Sequence, residues 1–249
     1  MYGAGCFCGA SLFLPSCTEV AISKRQQFNI FSDDFLYSKT FPAYNNFKSQ
    51  TKLITGTNEY NNLVDIGFRI RDAINVYYQT EGKKNPTDNF QWEFVLVDDD
   101  QTKNAWCMPG GKIAFYTGIL PIAKNNDGVA SIMGHEVAHA VARHSAERAS
   151  TAILADLGTM ALEQLVLGQR LPKAAGYVRQ FGLDLPFNRK QESEADYLGL
   201  IFSSLANYNI TESYKVWERM IEDSGGPGPS EFFSTHPSPK NRIKKLKEW

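Results

Sequence analysis

Apolar residues recur every three or four positions from Asn58 to Thr80. This spacing places apolar side chains along one face of a helix and leaves the other face to solvent. A glycine and a proline follow shortly afterwards, and both are typical of the end of a helix. The pattern therefore predicts an amphipathic helix over residues 58–80. Its apolar face comprises Leu63, Ile66, Ile70, Ile74 and Tyr77.

Two other stretches have the patterns of strands. Residues 90–97 (FQWEFVLV) alternate and are rich in aromatic and β-branched side chains, which predicts a half-buried strand. Residues 104–116 contain a Pro-Gly-Gly turn between two apolar runs, which predicts a hairpin. A small sheet among helices makes the predicted fold class α+β.

Several further segments have helical periodicity or helix-capping residues. A short helix is predicted from Ser32, within a leader (residues 18–50) that wraps the body of the protein. The Gly- and Pro-containing stretch 168–187 is a candidate lid over the substrate. The other predicted helices cover residues 117–124, 127–148, 151–167, 188–206, 211–223 and 239–249.

The helix predicted over 127–148 carries the motif H-E-x-x-H at His135, Glu136 and His139. Two imidazoles four residues apart lie on one helical face, where both can bind a single zinc ion. Glu136 follows the first histidine and can act as general base on water in the metal's open position. The motif therefore predicts a catalytic zinc site on a buried helix.

A catalytic zinc usually takes three protein ligands, so one more must come from elsewhere. His144 lies five residues after His139, about 140° around the same helix, and we expect it to be structural or exposed. A carboxylate on a later helix is the better candidate. Glu192 and Asp196 share a helical face, whereas Glu194 points nearly the opposite way. We predict that Glu192 binds zinc and that Asp196 orients a ligand histidine.

The predicted hairpin lies shortly before the zinc helix. In zincin folds a strand in this position is the edge that pairs with extended substrate, main chain to main chain. Glycines in the turn would let a peptide backbone approach closely. A plain hairpin is the alternative. The predicted substrate edge consists of Gly110, Gly111, Lys112, Ile113 and Ala114.

Composition excludes some classes of function. The chain has 249 residues, 43% of them hydrophobic and 21% charged, as in ordinary soluble globular proteins. A net charge of −1 provides no basic surface for nucleic acid. The sequence has no C-x-x-C pair, so a thiolate zinc site is not expected.

We predict a metallopeptidase domain over residues 51–249, preceded by the leader 18–50 and a signal segment 1–17.

The first seventeen residues are small, apolar and uncharged. They are too short to span a bilayer as a helix and resemble the end of a secretory signal, although a basic start is missing. Leu14-Pro15-Ser16-Cys17 resembles a bacterial lipobox, in which the cysteine is acylated. This predicts a lipid on Cys17 that tethers the protein to a membrane surface. A frayed apolar N-terminus is the alternative.

The zinc motif and the later pair Glu192 and Asp196 resemble metallopeptidase family 48, which includes the heat-shock protease HtpX and the CAAX prenyl endopeptidase. More closely, the chain resembles soluble periplasmic members that are lipid-anchored or exported and act in outer-membrane quality control. The integral-membrane members have spanning helices not seen in this sequence, so a membrane-embedded prenyl-protein substrate is not expected. The resemblance extends to Asn104-Ala105, Met108–Gly111, Leu185–Phe187, Ser234–Pro237 and Arg242.

The resemblance implies a helix-rich zincin fold and one zinc ion held by His135, His139 and Glu192. It also implies that Glu136 is the general base.

For His236, which precedes a proline, the resemblance leaves two roles open. The imidazole could donate to the oxyanion of the reaction, or it could be a fourth zinc ligand that closes the site until substrate displaces it. A histidine that only supports a helix entry is the third possibility. Arg242 is expected to support the ligands without binding zinc itself.

The expected function is a zinc endopeptidase of the periplasm, lipid-anchored to the outer membrane of a Gram-negative bacterium. Its partners would be misfolded or stalled envelope polypeptides and the machinery that assembles outer-membrane proteins. The alternative is a chaperone-like assembly factor for outer-membrane proteins that cleaves rarely. A purely structural zinc site is a third possibility, but it needs four protein ligands and leaves Glu136 without a role.

Overall fold

The computed structural model describes residues 17–153 and 187–225, then 232, 234, 236 and 239–249. The predicted lid at 168–187 lies outside these residues except for Phe187. Most of the helix predicted over 151–167 also lies outside them. In the described parts of the chain, no helix has both the length and the apolar character needed to cross a bilayer.

A four-stranded mixed sheet lies at the centre of the described structure, with the strand order β3-β4-β6-β5. Strands β3 and β4 are antiparallel, β4 and β6 are parallel, and β5 and β6 form an antiparallel hairpin. The predicted strand and hairpin are therefore present. The strands are β3 (Leu53–Ile54), β4 (Glu93–Val97), β5 (Ala105–Met108) and β6 (Lys112–Tyr116).

The predicted substrate edge is wrong, because β6 is an interior strand with both of its sides paired. Lys112, Ile113 and Ala114 therefore have no free main-chain edge. Gly110 and Gly111 form the turn, with φ angles of 89° and 76°. Side chains at these positions would collide with aromatic rings of the protein. The outer strand of the sheet on this side is β5.

Helices make up most of the remaining structure. A hairpin of β1 (Cys17–Glu19) and β2 (Gln26–Phe28) precedes them. The first helix begins after its predicted cap Ser32 but has 18 residues instead of being short. The helix predicted over 58–80 has the expected bounds. The α-helices whose two ends both lie within the described residues are α1 (Asp33–Gln50), α2 (Asn58–Thr80), α3 (Leu120–Ala123), α4 (Asn126–Val141), α5 (Arg189–Leu205), α6 (Glu212–Asp223) and α7 (Pro239–Glu248).

Both faces of the sheet are covered by helices, so the chain forms three layers. Helix α1 packs on one face, where the Tyr44 hydroxyl donates to the carbonyl of Ile113 at 3.2 Å. The other face contributes to the main core with α2 and α4. The leader thus packs on the sheet. The side chains toward α1 are Val95, Val97, Trp106, Met108 and Ala114; those toward α2 and α4 include Phe94, Leu96, Ile113 and Phe115.

Helices α4 and α5 cross at two glycines. A Cβ atom on Gly199 would lie 2.9 Å from the amide nitrogen of His135, and one on Gly134 would lie 2.9 Å from the carbonyl oxygen of Gly199. Such distances are shorter than real Cβ contacts, so only glycine allows this approach. The crossing brings the backbone of α5 directly against the histidine motif.

Replacing Gly199 with alanine should force the two helices apart. We expect a loss of unfolding free energy of about 1–3 kcal/mol, typical of an overpacked core, together with weaker zinc binding. Urea unfolding and zinc titration of the purified protein measure both effects. The control is Ser204→Ala, at an exposed position of the same helix. Equal stability of the Gly199 variant and the wild type would contradict the packing argument.

Candidate metal centre

The zinc motif lies on α4, which begins with a side-chain cap. The Asn125 side chain accepts a hydrogen bond from the amide of Gly128 at 2.8 Å, which satisfies one free donor of the first turn. Asp127 adds negative charge near the helix N-terminus, where it is favourable. The helix is buried from Ala130 to Val141. It carries His135 and His139 inward.

The two motif histidines face each other with their Nε2 atoms 3.1 Å apart. Glu192 approaches them from α5. Its Oε1 lies 3.4 Å from Nε2 of His139, and its Oε2 lies 3.6 Å from Nε2 of His135. Asn188 and Gln191 form a reciprocal capping box that fixes the start of α5, which begins three residues before Glu192.

His236 completes the cluster. Its Nδ1 lies 3.3 Å from Nε2 of His135 and 3.1 Å from Oε1 of Glu192. The imidazole stacks on Phe232, with ring centroids 4.4 Å apart. One ligand atom each of His135, His139, Glu192 and His236 can be chosen so that all lie within 4.8 Å of one another. All four residues are buried.

The donor set and its spacing fit zinc. Three imidazole nitrogens and one carboxylate oxygen are ordinary zinc ligands. Bonds of about 2.0–2.2 Å in a tetrahedron separate neighbouring ligand atoms by about 3.3–3.6 Å. The contacts given above are 3.1–3.6 Å but involve both oxygens of Glu192, and with one atom from each residue all four donors lie within 4.8 Å. The cluster can therefore hold one zinc ion.

Glu136 lies beside the cluster as a buried carboxyl group. Within the described part of the chain its Oε1 has no hydrogen-bond partner, and it lies 3.6 Å from Nε2 of His236. Burial raises the pKa of this carboxyl to about 8. A carboxyl with a pKa near neutrality can both take up and release a proton, as a general acid–base requires. A purely structural site would have no use for it.

Asp196 and Arg242 support the cluster from the side of His135. Asp196 Oδ1 lies 3.1 Å from Nδ1 of His135, so it can accept the proton on the nitrogen that faces away from the cluster. Arg242 donates to both carboxylate oxygens of Asp196 and also pairs with Glu192 through Nη1. This is the geometry predicted for Asp196, and it also gives Arg242 a position next to a ligand.

Charge compensation keeps these buried carboxylates ionised. Burial opposes ionisation of Glu192, but Arg242 and His236 hold the pKa of its carboxyl well below the usual range. Burial likewise opposes ionisation of Asp196, and Arg242 and His135 outweigh it, so the pKa of Asp196 is also lowered. Both groups are therefore anions at neutral pH and can accept hydrogen bonds or bind a cation.

His144 is buried rather than exposed, and it lies beyond the end of α4 at Val141, outside the four-donor cluster. The chain turns at Arg143, whose φ is 55°, and helical structure resumes at residue 144. The turn brings Nδ1 of His144 to 2.8 Å from Nδ1 of His139. On its other side, Nε2 of His144 lies 2.8 Å from Oε2 of Glu194. Both residues are buried and connect to the cluster.

No periodicity in the sequence indicates this break. Arg143 is held in its left-handed conformation by tertiary contacts: its guanidinium donates to the carbonyl of Phe31 at 2.7 Å and pairs with Asp33 at 2.9 Å. A helix drawn through residues 127–148 therefore placed His144 on the wrong face. Burial lowers the pKa of the His144 imidazole, so it is neutral at neutral pH.

Comparison with protein families decides the classification. The model of peptidase family M48 matches residues 70–249. The chain belongs to peptidase family M48. The match includes every residue of the four-donor cluster, and it confirms the resemblance to metallopeptidase family 48. It also confirms the predicted zinc metalloendopeptidase class, with zinc as cofactor and a helix-rich α+β fold.

Three relatives show how far the similarity extends. The mitochondrial metalloendopeptidase OMA1 of Schizosaccharomyces pombe is 35% identical over 251 residues, which cover 100% of this chain and 71% of the relative. The corresponding protein of Arabidopsis thaliana is 41% identical over 160 residues, covering 64% of this chain and 32% of its own length. The beta-barrel assembly-enhancing protease of Escherichia coli is 26% identical over 166 residues, covering 61% and 33%.

The predicted periplasmic location is wrong. Relatives from fungi, a plant and animals match at 33–41% identity, and their names place them in mitochondria. The bacterial proteins match at 26–27%. The lipid anchor on Cys17 was inferred for a bacterial lipoprotein, so it loses its support together with the location.

Arg242 should be essential for the stability of the cluster. Arg242→Met keeps an apolar stem for packing on Trp217, whose ring lies 3.7 Å from the guanidinium, but leaves two buried carboxylates without their cation. We expect a loss of about 3–5 kcal/mol in unfolding free energy, as when one partner of a buried ion pair is removed. Urea unfolding in the presence of a chelator measures it. Lys244→Met, at a position 78% exposed on the same helix, is the control and should be nearly neutral.

Proposed function

We propose that this chain is a mitochondrial zinc endopeptidase in which His135, His139 and Glu192 hold the metal and Glu136 is the general base. The observation that carries the proposal is the buried cluster of four donor atoms, beside which Oε1 of Glu136 has no hydrogen-bond partner among the described residues. The mitochondrial location is supported by the names of the relatives, the first of which matches the whole chain.

In this proposal, zinc, when bound, supplies the positive charge that polarises a peptide carbonyl and makes water acidic. Glu136 takes the proton from the attacking water and delivers it to the leaving amine. Its raised pKa suits both steps, because the group must be deprotonated at first and protonated afterwards. Asp196 and Arg242 fix the His135 ring through its Nδ1 side.

Extended polypeptides are the proposed substrates. Strand β5 is an outer strand of the sheet and packs next to α4. The amide of Tyr116 donates to the carbonyl of Asn104 at 3.1 Å, and hydrogen-bonded pairs alternate along an antiparallel ladder. This register turns the main-chain groups of Cys107 away from β6. We propose that a substrate strand pairs at Cys107, a correction of the edge expected from the sequence.

We also propose that His236 is a fourth ligand that closes the site until a substrate displaces it. Its Nδ1 points at His135 and Glu192, which suits a ligand, whereas its Nε2 lies toward Glu136. A donor to the oxyanion would instead have to direct a free N–H toward the substrate. The contacts therefore favour the ligand role over the donor role.

Glu136→Gln tests the enzyme. The amide cannot accept the proton of water, so kcat/KM for casein or an unstructured peptide should fall about 10²–10⁴-fold, while zinc content stays at the wild-type level. The matched control is Glu59→Gln, at an exposed position of α2. Unchanged cleavage by the Glu136 variant would refute the proposed base.

His236→Ala tests the closed site. We expect several-fold faster cleavage of an unstructured peptide, since the imidazole no longer competes with the substrate, together with weaker zinc binding. Peptide assays at saturating zinc separate the two effects. A strong loss of activity would instead support the oxyanion donor, and an unchanged rate would exclude both roles.

A second candidate is an assembly factor that binds polypeptides and cleaves them rarely. The similarity to the beta-barrel assembly-enhancing protease favours it. The Glu136→Gln variant distinguishes the two candidates in cells. An undiminished cellular role of that variant supports binding, and a role lost together with proteolysis supports the endopeptidase.

A further inference from the structure

Arg25 lies in the turn between β1 and β2, far in sequence from the zinc motif and outside the residues that the family model matches. Its guanidinium bridges two carboxylates. Nε donates to Oε2 of Glu194 at 2.5 Å, and Nη1 and Nη2 donate to the two oxygens of Glu147 at 2.6 and 2.8 Å. The bidentate pair fixes the plane of the guanidinium, so Nε is held toward Glu194.

Glu194 accepts from three donors, two in the β1–β2 turn and one after α4. Besides Arg25, it accepts from the hydroxyl of Ser23 through Oε1 and from His144 through Oε2. An ionised carboxylate can only accept hydrogen bonds. The Nε2 atom of His144, which lies 2.8 Å from Glu194, must therefore carry the proton.

The next contact joins His144 to His139 through their Nδ1 atoms, 2.8 Å apart. One proton must lie between these nitrogens for a hydrogen bond to form. If His139 binds zinc through Nε2, its neutral ring carries the proton on Nδ1, and His144 accepts it. The chain of donors and acceptors is then complete, with each group in its ordinary protonation state.

We propose that Arg25 is a positioning residue for zinc, acting through Glu194 and His144 on the tautomer and orientation of His139. The inference rests on the proposed function, because it takes His139 as a zinc ligand. Arg25 touches neither the metal cluster nor the reacting groups. Arg25 orients the Glu194 carboxylate, and that carboxylate keeps the proton of His144 on Nε2. Nδ1 of His144 then accepts the proton on Nδ1 of His139, so Nε2 of His139 is free to bind the metal.

The charge of Arg25 explains why this residue is needed. Glu147 and Glu194 both point at the same guanidinium, and their side chains are 14% and 4% exposed. Without the cation, the two carboxylates would repel each other in a region of low dielectric constant. Glu194 would then turn away from Glu147, and the hydrogen bond that it accepts from His144 would be lost or redirected.

The test compares Arg25→Gln, Arg25→Lys and a control in the full chain. The control is Lys24→Gln, in the same turn, where the lysine side chain is 62% exposed and pairs only with Glu19 among the described residues. The zinc dissociation constant is measured by competition with a chromophoric chelator, and thermal unfolding is followed in parallel.

We expect Arg25→Gln to raise the zinc dissociation constant about 10-fold, in the range known for residues that support metal ligands. Arg25→Lys should recover part of the zinc affinity, because the ammonium keeps the positive charge but not the planar, bidentate hydrogen-bonding geometry of the guanidinium. Lys24→Gln should bind zinc as the wild type does. If Arg25→Gln folds, melts earlier and binds zinc with unchanged affinity, the residue is only a tether of the hairpin and the inference is wrong.

A second measurement needs no variant at position 25. Nitrogen-15 NMR of the zinc-loaded wild type should show a protonated Nδ1 on His139, and on His144 an unprotonated Nδ1 with a protonated Nε2. The opposite tautomer of His144 would overturn the inference even if every Arg25 variant failed to fold. Retention of wild-type zinc affinity by His139→Ala would contradict the proposed ligand set itself, a failure separate from that of the Arg25 relay.

Discussion

The structure depends on keeping the Glu192 carboxylate ionised in a completely buried position. Burying an isolated carboxylate is too costly for a folded protein to sustain, so the group must be compensated. Arg242 supplies the positive charge and itself needs Asp196 to satisfy its other donors. Glu192, Arg242 and Asp196 therefore form a network of buried charges before any metal binds. This arrangement requires α7 to pack against α5, and it joins the C-terminal part of the chain to the histidine motif.

Close contact between α4 and α5 is the second requirement. Glu192 reaches the histidines only because Gly134 and Gly199 let the two backbones approach within the reach of a single carboxylate. The crossing and the charge compensation reinforce each other. A wider separation would lengthen every contact of Glu192 with His135 and His139 at once, and the carboxylate would lose its partners without regaining water.

Several helices and the main metal ligands could be predicted from the sequence, because periodicity and motif spacing are local features of the chain. The periodicity over 58–80 fixed α2, and the spacing of His135, His139 and Glu192 indicated a shared cluster. The order of the strands could not be predicted, because alternation identifies a strand but not its neighbours. The turn at Arg143 could not be predicted either, since it depends on partners more than a hundred residues away in sequence. Glu194 was set aside because it points away from Glu192 and Asp196, and its contact with His144 depends on that same turn.

Each motif histidine is supported from a different end of the chain. Asp196 and Arg242 hold His135 from the C-terminal side, and His144 and Glu194 hold His139 from the side of the N-terminal hairpin. In a site of this kind, ligand geometry exists only when both ends of the chain have folded onto the central helices. Zinc binding and folding are then linked, because a metal that prefers the assembled geometry stabilises every contact that maintains it. The H-E-x-x-H motif spans only five residues, yet its two imidazoles are positioned by segments more than two hundred residues apart in sequence.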